Sequence, residues 1–355
     1  MAKVLMKGNE AIGEAAIRAG CLNYFAYPIT PQSEVAEYLS RRMKEVGGVF
    51  LQGESEVAVS YMIFGASAAG ARVFTTSSSP GISLMSEGIS YIAGAQCPAV
   101  FVNIMRGGPG LGGILPSQAD YFQATKGMGH GDFRLLVMAP ASVQEAVSMV
   151  MRAFPLAEKY RNPVMILGDG LIGQMMEPVE FSDELKTEAS NKDAWATNGM
   201  DHRGSSQRNL VKSLFLDPEA LNQNNLTLKA KYDQMKQEEV RFETYNTDTD
   251  YRVLIVSYGT MSRVCRTAID NMKKEGLDVG MVRPQTLFPF PEEQVLAAAE
   301  KKSCKTVASI EMSMGQMIED IQRSVQGRRP VHWFGKCGGD VPTPEEVTDF
   351  VHTLL

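Results

Sequence analysis

Arg106 closes an apolar run, Phe101–Val102–Asn103–Ile104–Met105, and opens a glycine-rich stretch, Gly107–Gly108–Pro109–Gly110–Leu111–Gly112–Gly113. A guanidinium at the end of a buried strand can grip a carboxylate through two parallel hydrogen bonds. Glycines, having no Cβ, let the backbone come close to a ligand. A flexible loop with a solvated arginine fits the same residues. The spacing is not a dinucleotide fingerprint, because no helix pattern and acidic partner follow. Glu56, in Gly53–Glu54–Ser55–Glu56, precedes a run of small residues from Gly65 to Ala71. Such a helix packs close to a neighbour, and its first carboxyl points where a ligand can stand. A carboxylate placed only to favour the helix dipole accounts for it as well. Thr30 lies between two prolines in Tyr27–Pro28–Ile29–Thr30–Pro31. The prolines push the residues before them away from helical conformation. That places Thr30 at the carboxyl end of a strand, where open α/β sheets bind ligands. A proline-started helix capped by Thr30 or Ser33 is the plainer alternative. Thr75–Thr76–Ser77–Ser78–Ser79–Pro80–Gly81 also follows a strand and precedes a helix. Its hydroxyls either face a polar cofactor ring or cap the helix.

These segments need a scaffold of strands and helices in alternation, and the sequence supplies one. Helices are predicted over 11–19, 33–45, 82–95 and 142–160, with one emerging from a loop within 52–71. Strands are predicted over 24–27, 72–76, 98–105, 135–138 and 164–167. Strands alternating with helices imply βαβ units and a mostly parallel sheet. Residues 251–355 repeat this texture, with strands over 252–256, 277–282 and 305–311. Helices there end at Lys274, with Gly276 as the cap, and span 291–301, 317–325 and 344–353. Between them, 179–250 reads as a connector. The stretch 190–209 is polar and aperiodic, and 230–242 reads as a charged, exposed helix. The expected division is therefore 1–178, 179–250 and 251–355.

The 355 residues carry a net charge of −6 and are 44% hydrophobic. A sizeable core can be buried, and a basic surface for nucleic acid or anionic lipid is not encoded. No run of about 18 apolar residues predicts a membrane span. The N-terminus lacks the apolar stretch of a secretory signal, so the expected location is the cytoplasm. The cysteines Cys21, Cys97, Cys265, Cys304 and Cys337 form no CxxC pair, so an iron–sulfur or zinc site of the usual kind is not encoded. They are expected to be reduced thiols.

In order and spacing, four segments resemble the alpha-type subunit of 2-oxoacid:ferredoxin oxidoreductases. They are Tyr-Pro-Ile-Thr-Pro at 27–31, Ser-Glu at 55–56, Ser-Ser-Pro-Gly at 78–81 and Arg-Gly-Gly-Pro-Gly at 106–110. The C-terminal part, with Tyr258–Gly259–Thr260 and Val282–Arg283–Pro284, is similar to transketolase C-terminal domains. The branched-chain (2-oxoisovalerate) type is nearest in look, and the 2-oxoglutarate type is a near relative.

The resemblance implies a doubly wound, mostly parallel thiamine-diphosphate-binding pyrimidine domain joined to a smaller α/β domain. It assigns Glu56 to N1′ of the cofactor's aminopyrimidine, where a carboxyl favours the imino tautomer that activates the thiazolium carbon. It assigns Arg106 to the substrate carboxylate and Thr30 to the neighbourhood of the keto oxygen. It brings Pro28, Ile29, Ser78 and Ser79 to the cofactor. The implied reaction is oxidative decarboxylation of a 2-oxoacid with coenzyme A, giving acyl-CoA, CO2 and reduced ferredoxin. Gly168–Asp169–Gly170 looks like the start of a metal–diphosphate motif, but no paired asparagines follow at the needed distance. Asp169 is therefore read as a strand-end turn residue. Magnesium and the diphosphate are left to a beta-type partner, and [4Fe-4S] clusters to a ferredoxin-like partner beside a gamma-type subunit. Two other readings stay open: a transketolase- or dehydrogenase-like subunit using another acyl acceptor, and a scaffolding subunit with a dead site.

Overall fold

The computed structural model describes residues 3–182, 188–197, 199 and 208–355. The N-terminal part runs β1 (Val4–Lys7), α1 (Gly8–Arg18), β2 (Asn23–Ala26), α2 (Ser33–Glu45), β3 (Val49–Gln52), α3 (Glu56–Ala68), β4 (Val73–Ser77) and α4 (Ser79–Gly94). It continues with β5 (Ala99–Met105), α5 (Tyr121–Thr125), β6 (Leu136–Met138), α6 (Val143–Tyr160), β7 (Pro163–Asp169), α7 (Gly170–Gln174) and β8 (Met176–Val179). The C-terminal part is α8 (Pro218–Glu238), β9 (Phe242–Tyr245), β10 (Val253–Val256), α9 (Gly259–Lys274), β11 (Val279–Pro284), β12 (Thr286–Phe288), α10 (Glu292–Ala299), β13 (Thr306–Glu311), α11 (Met317–Val325), β14 (Val331–Gly335) and α12 (Pro344–His352).

The larger sheet has the order β12-β6-β7-β5-β4-β2-β3 and is parallel except at β12. The smaller has the order β14-β13-β10-β11-β9 and is parallel except at β9. β1 and β8 form a separate antiparallel ribbon. The expected α/β architecture is present, with two mostly parallel sheets.

Strands β5 and β7 are buried at every residue, as continuous apolar runs in parallel sheets are. β10 divides its side chains between two cores by the two-residue period of a strand. Leu254 and Val256 join the core of the larger sheet, whereas Val253 and Ile255 pack with Ile269 and Val351 of α9 and α12.

Two strands cross the expected division. β9 comes from the expected connector yet completes the smaller sheet, and β12 leaves the C-terminal part to close the larger one. Both are short antiparallel edges held by one neighbour, which local periodicity does not reveal. The connector helix runs over Pro218–Glu238 rather than 230–242. Its start carries the usual signals, Pro218 at the first position and Asp217 accepting from the Ala220 amide. Within 190–209, residues 198 and 200–207 lie outside the described residues. The described part is no solvated excursion: Thr197 bonds to Ala68, and Trp195 lies under Arg161. Lys192 and Arg72 both pair with Glu158. Burial alone would raise the Glu158 carboxyl, but these cations override it and hold it at about 2.

The seam between the sheets is polar and crossed by side-chain hydrogen bonds. The Gln118 side chain donates to Tyr258 O (2.9 Å) and accepts from the Met312 amide (2.9 Å). Gln316 donates to Ala119 O (2.7 Å) and accepts from the Phe122 amide (2.8 Å). Arg283, 2% exposed, holds Glu145 of α6 with two bonds of 2.6 and 2.8 Å and Glu243 of β9 with one of 2.9 Å.

Candidate functional site

The carboxyl ends of β2, β4 and β5 lie side by side in the larger sheet. This is where open parallel sheets take ligands. β2 delivers the Tyr27–Gln32 segment, whose Pro31 carbonyl accepts from Asn9 (2.8 Å) and Gln174 (3.1 Å). β4 delivers Ser77 and Ser78, and β5 delivers Arg106. Glu56 is the first residue of α3, behind Ser55, whose hydroxyl accepts from the Ala58 amide (3.2 Å).

Glu56 is 6% exposed, and among the described residues its carboxyl has no hydrogen-bond or ion-pair partner. A carboxyl so placed is costly unless something binds it. Gly81, in the first turn of α4, lies directly against it. A Cβ there would stand 2.8 Å from Glu56 Oε1 and 2.1 Å from Ser77 Oγ. Only glycine fits.

The helix-cap alternatives are not what forms. Ser78 is the N-cap of α4, but its hydroxyl makes no cap bond and is buried without a partner. Gln32 precedes α2 and caps nothing with its side chain, so neither Thr30 nor Ser33 acts as the cap. The hydroxyls of Thr75 and Ser77 and Nε2 of Gln32 are also buried and, among the described residues, unpartnered.

Arg106 is not a solvated loop residue. It is 8% exposed; its Nη1 donates to Thr30 O (2.9 Å), its Nη2 to Leu111 O (3.1 Å), and its Nε has no partner among the described residues. Arg106 and Thr30 thus meet. Pro28 and Thr30 are exposed and Ile29 half-buried at the mouth. Ser79 ties the two halves: its amide donates to Asn103 Oδ1 (3.0 Å), and its hydroxyl accepts from the Arg106 amide (3.0 Å). That hydroxyl donates to Asp120 Oδ2 (2.6 Å), which also receives Asn103 Nδ2 (2.8 Å). Burial raises the Asp120 carboxyl above its ordinary value.

Sequence reasoning missed Asn103, Asp120 and Gln32. The available signal was Asn103, an amide inside an otherwise apolar strand. Asp169 ends β7 and accepts from the Leu171 and Ile172 amides, a strand-end turn residue as expected. A cleft of about 1160 Å³ between α8 and β12 contains none of the expected residues. Several of its charges pair with one another, Lys126 and Arg323 with Asp320 and Lys229 with Asp233.

Cys21, Cys97, Cys265 and Cys304 are buried, and Cys337 is exposed. Burial pushes the thiols of Cys21, Cys97 and Cys265 up to about 12. Among the described residues no helix is long and apolar enough to cross a membrane.

Two family models match the chain. One, described as pyruvate flavodoxin/ferredoxin oxidoreductase, thiamine diP-bdg, covers residues 14–244; the other, pyruvate:ferredoxin oxidoreductase core domain II, covers 252–347. Ketoisovalerate oxidoreductase subunit VorB of Methanothermobacter thermautotrophicus is 48% identical over 354 residues, 100% of this chain and 98% of that protein. 2-Oxoglutarate synthase subunit KorA of Archaeoglobus fulgidus is 36% identical, with 99% of each chain covered. Among solved structures, the 2-oxoglutarate:ferredoxin oxidoreductase of Magnetococcus marinus superposes with a TM-score of 0.84 at 28% identity. The match covers 99% of this chain and 65% of that one, so this chain spans just under two thirds of its length.

Proposed function

Because this chain belongs to the thiamine-diphosphate-dependent 2-oxoacid:ferredoxin oxidoreductase family, as an alpha-type subunit, we propose that it holds the pyrimidine end of the cofactor and grips a branched-chain 2-oxoacid. Thiamine diphosphate, when bound, supplies the nucleophilic carbon that decarboxylation of a 2-oxoacid requires. The chain's own residues do the rest of the work on this side.

Glu56 presents its carboxyl to the pyrimidine ring nitrogen and holds a proton there in register with the reaction. Gly81 lets the Ser77 hydroxyl and the Glu56 carboxyl pack against the start of α4, and the free hydroxyls of Ser77 and Ser78 are available to the ring's polar atoms. Pro28 and Ile29 line the approach, and Ser79 sets the wall. Arg106 takes the substrate carboxylate with its unpartnered Nε and a neighbouring N–H. Thr30, fixed through its own carbonyl by Arg106, stands beside the keto oxygen.

The substrate reading follows the ketoisovalerate relative at 48% identity over the 2-oxoglutarate relative at 36%. The diphosphate, its magnesium and the [4Fe-4S] clusters belong on partner chains of beta, gamma and ferredoxin-like type, with coenzyme A as acyl acceptor and ferredoxin as electron acceptor. The residue separations in this sequence support that placement, since it offers neither motif.

The observation that carries the reading is the buried, unpartnered Glu56 carboxyl pressed against Gly81. Glu56→Gln in the reconstituted complex should lower the rate on the order of 10²-fold or more with thiamine diphosphate still bound. A variant turning over at the native rate would overturn the assignment. Relative kcat/KM for 2-oxoisovalerate and 2-oxoglutarate in the same complex decides the substrate.

A further inference from the structure

We propose that Asp120 is a positioning residue that couples the C-terminal lobe to the grip of Arg106 on the 2-oxoacid. The proposal rests on the reading of Arg106 and Glu56 given above.

Asp120, Ser79 and Asn103 form a closed ring of hydrogen bonds. Ser79 N–H donates to Asn103 Oδ1 at 3.0 Å, Asn103 Nδ2 to Asp120 Oδ2 at 2.8 Å, and the Ser79 hydroxyl to the same Oδ2 at 2.6 Å. The hydroxyl has one proton, and the short bond to Asp120 takes it. Its lone pairs then face the Arg106 amide, which donates to it at 3.0 Å. The backbone origin of the Arg106 side chain is therefore fixed by a hydroxyl whose orientation Asp120 sets. Asn103 is 0% exposed in a strand whose other residues are apolar. An amide is costly there unless fully used, and the ring uses both of its ends.

Asp120 itself is held from the other lobe. Gln316 clamps the backbone on both sides of it, accepting from the Phe122 amide and donating to Ala119 O. The Tyr121 hydroxyl donates to Asp320 of α11 at 2.5 Å. Gln118 pairs with Met312 through backbone and side chain. The loop that follows Arg106 leans on the same lobe. A Cβ on Gly107 would stand 3.0 Å from the Gly338 carbonyl carbon, and one on Gly339 would stand 2.4 Å from Leu115 Cβ. Leu115 O accepts the Gly107 amide at 3.0 Å and so closes the loop. Both ends of the segment 106–122 are thus referenced to residues 312–339. A shift of about 1 Å in a substrate-gripping group is enough to cost on the order of 10²-fold in rate.

The test uses the assembled complex. In Asp120→Ala, KM for the 2-oxoacid should rise about tenfold or more through the displaced guanidinium, and thiamine diphosphate affinity, read by fluorescence quenching, should stay within about twofold. Asp120→Asn keeps one acceptor and should fall between that variant and the native complex. Gln316→Ala, outside the pocket, should raise KM in the same direction by a smaller factor. Native KM values in Asp120→Asn and Gln316→Ala would overturn the proposal, whether or not Asp120→Ala assembles. So would losses confined to thermal stability and cofactor content. Glu56→Gln, measured alongside, separates the two readings. Native turnover there strikes the site assignment itself, whereas a slow Glu56→Gln beside native KM in the others strikes only the coupling.

Discussion

At the seam between the sheets, Glu311 is fully buried and accepts from five donors; at the ends of β2, β4 and β5, Glu56 is almost as buried and accepts from none among the described residues. The donors to Glu311 are the hydroxyls of Ser309 and Ser313 and the amides of Gln316, Met317 and Ile318. A strand-end carboxylate there completes the N-terminus of α11. The same residue type at the start of α3 is left open, with the Ser77 and Ser78 hydroxyls open beside it. Burial alone does not separate structure from function in this protein. Between these two glutamates satisfaction does, because a buried polar group left unpaired is open to a ligand.

Four experiments break or sharpen this contrast, taken by their expected cost to stability. Glu311→Ala strips the acceptor from five buried donors and should destabilise by about 3–5 kcal/mol in denaturant titrations. A loss below about 1 kcal/mol would mean that the seam is not held as described.

The Arg72–Glu158–Lys192 cluster is next. Its folded carboxyl lies at about 2, below the ordinary 4.5. A depressed folded value gives stability that is present above 4.5 and fades as pH falls towards 2. The loss should reach at most about 3 kcal/mol, since each tenfold change in proton affinity is worth roughly 1.4 kcal/mol. Urea titrations at stepped pH measure it, and Arg72→Met should flatten the slope.

Gly81→Ala drives a methyl into Ser77 and Glu56 and should cost about 1–3 kcal/mol, with a larger loss of thiamine diphosphate binding. Glu56→Gln should leave stability within about 0.5 kcal/mol while turnover collapses. A clear loss of stability in Glu56→Gln would place Glu56 with Glu311 and erase the distinction.

Much of the frame was legible in the sequence. The predicted helices over 33–45 and 317–325 coincide with α2 and α11, and the predicted strands before Arg106, Ser78 and Thr30 are present. Apolar runs in parallel sheets and proline or serine starts are local signals, readable without partners. β3 was not legible: Val49 and Leu51 lie on an edge and are both exposed, so no burial pattern marks them. β9, β12 and β14 are likewise short edges whose pairing is entirely tertiary.

At the site, Glu56, Ser78 and Arg106 were proposed on a family resemblance, since their positions at element ends beside glycines also fit plain helix-start and loop readings. Asp120 was invisible, since its importance arises only when residues 117–122 fold back across the end of β5. Gln316 belongs to the same class, 194 residues from the Phe122 amide it accepts. Long-range amide clamps leave no periodic trace in the chain.

The exchange of edge strands bears on how the protein comes apart. β9 reaches forward to the smaller sheet and β12 reaches back to the larger. A protease nick near residue 248 therefore leaves two fragments that each lack a rim. The C-terminal fragment would bare the flank of β11, an open strand prone to recruiting other chains. The N-terminal fragment would uncover β6. Calorimetry of the intact chain should accordingly record one melting event, and the isolated fragments should be prone to aggregate.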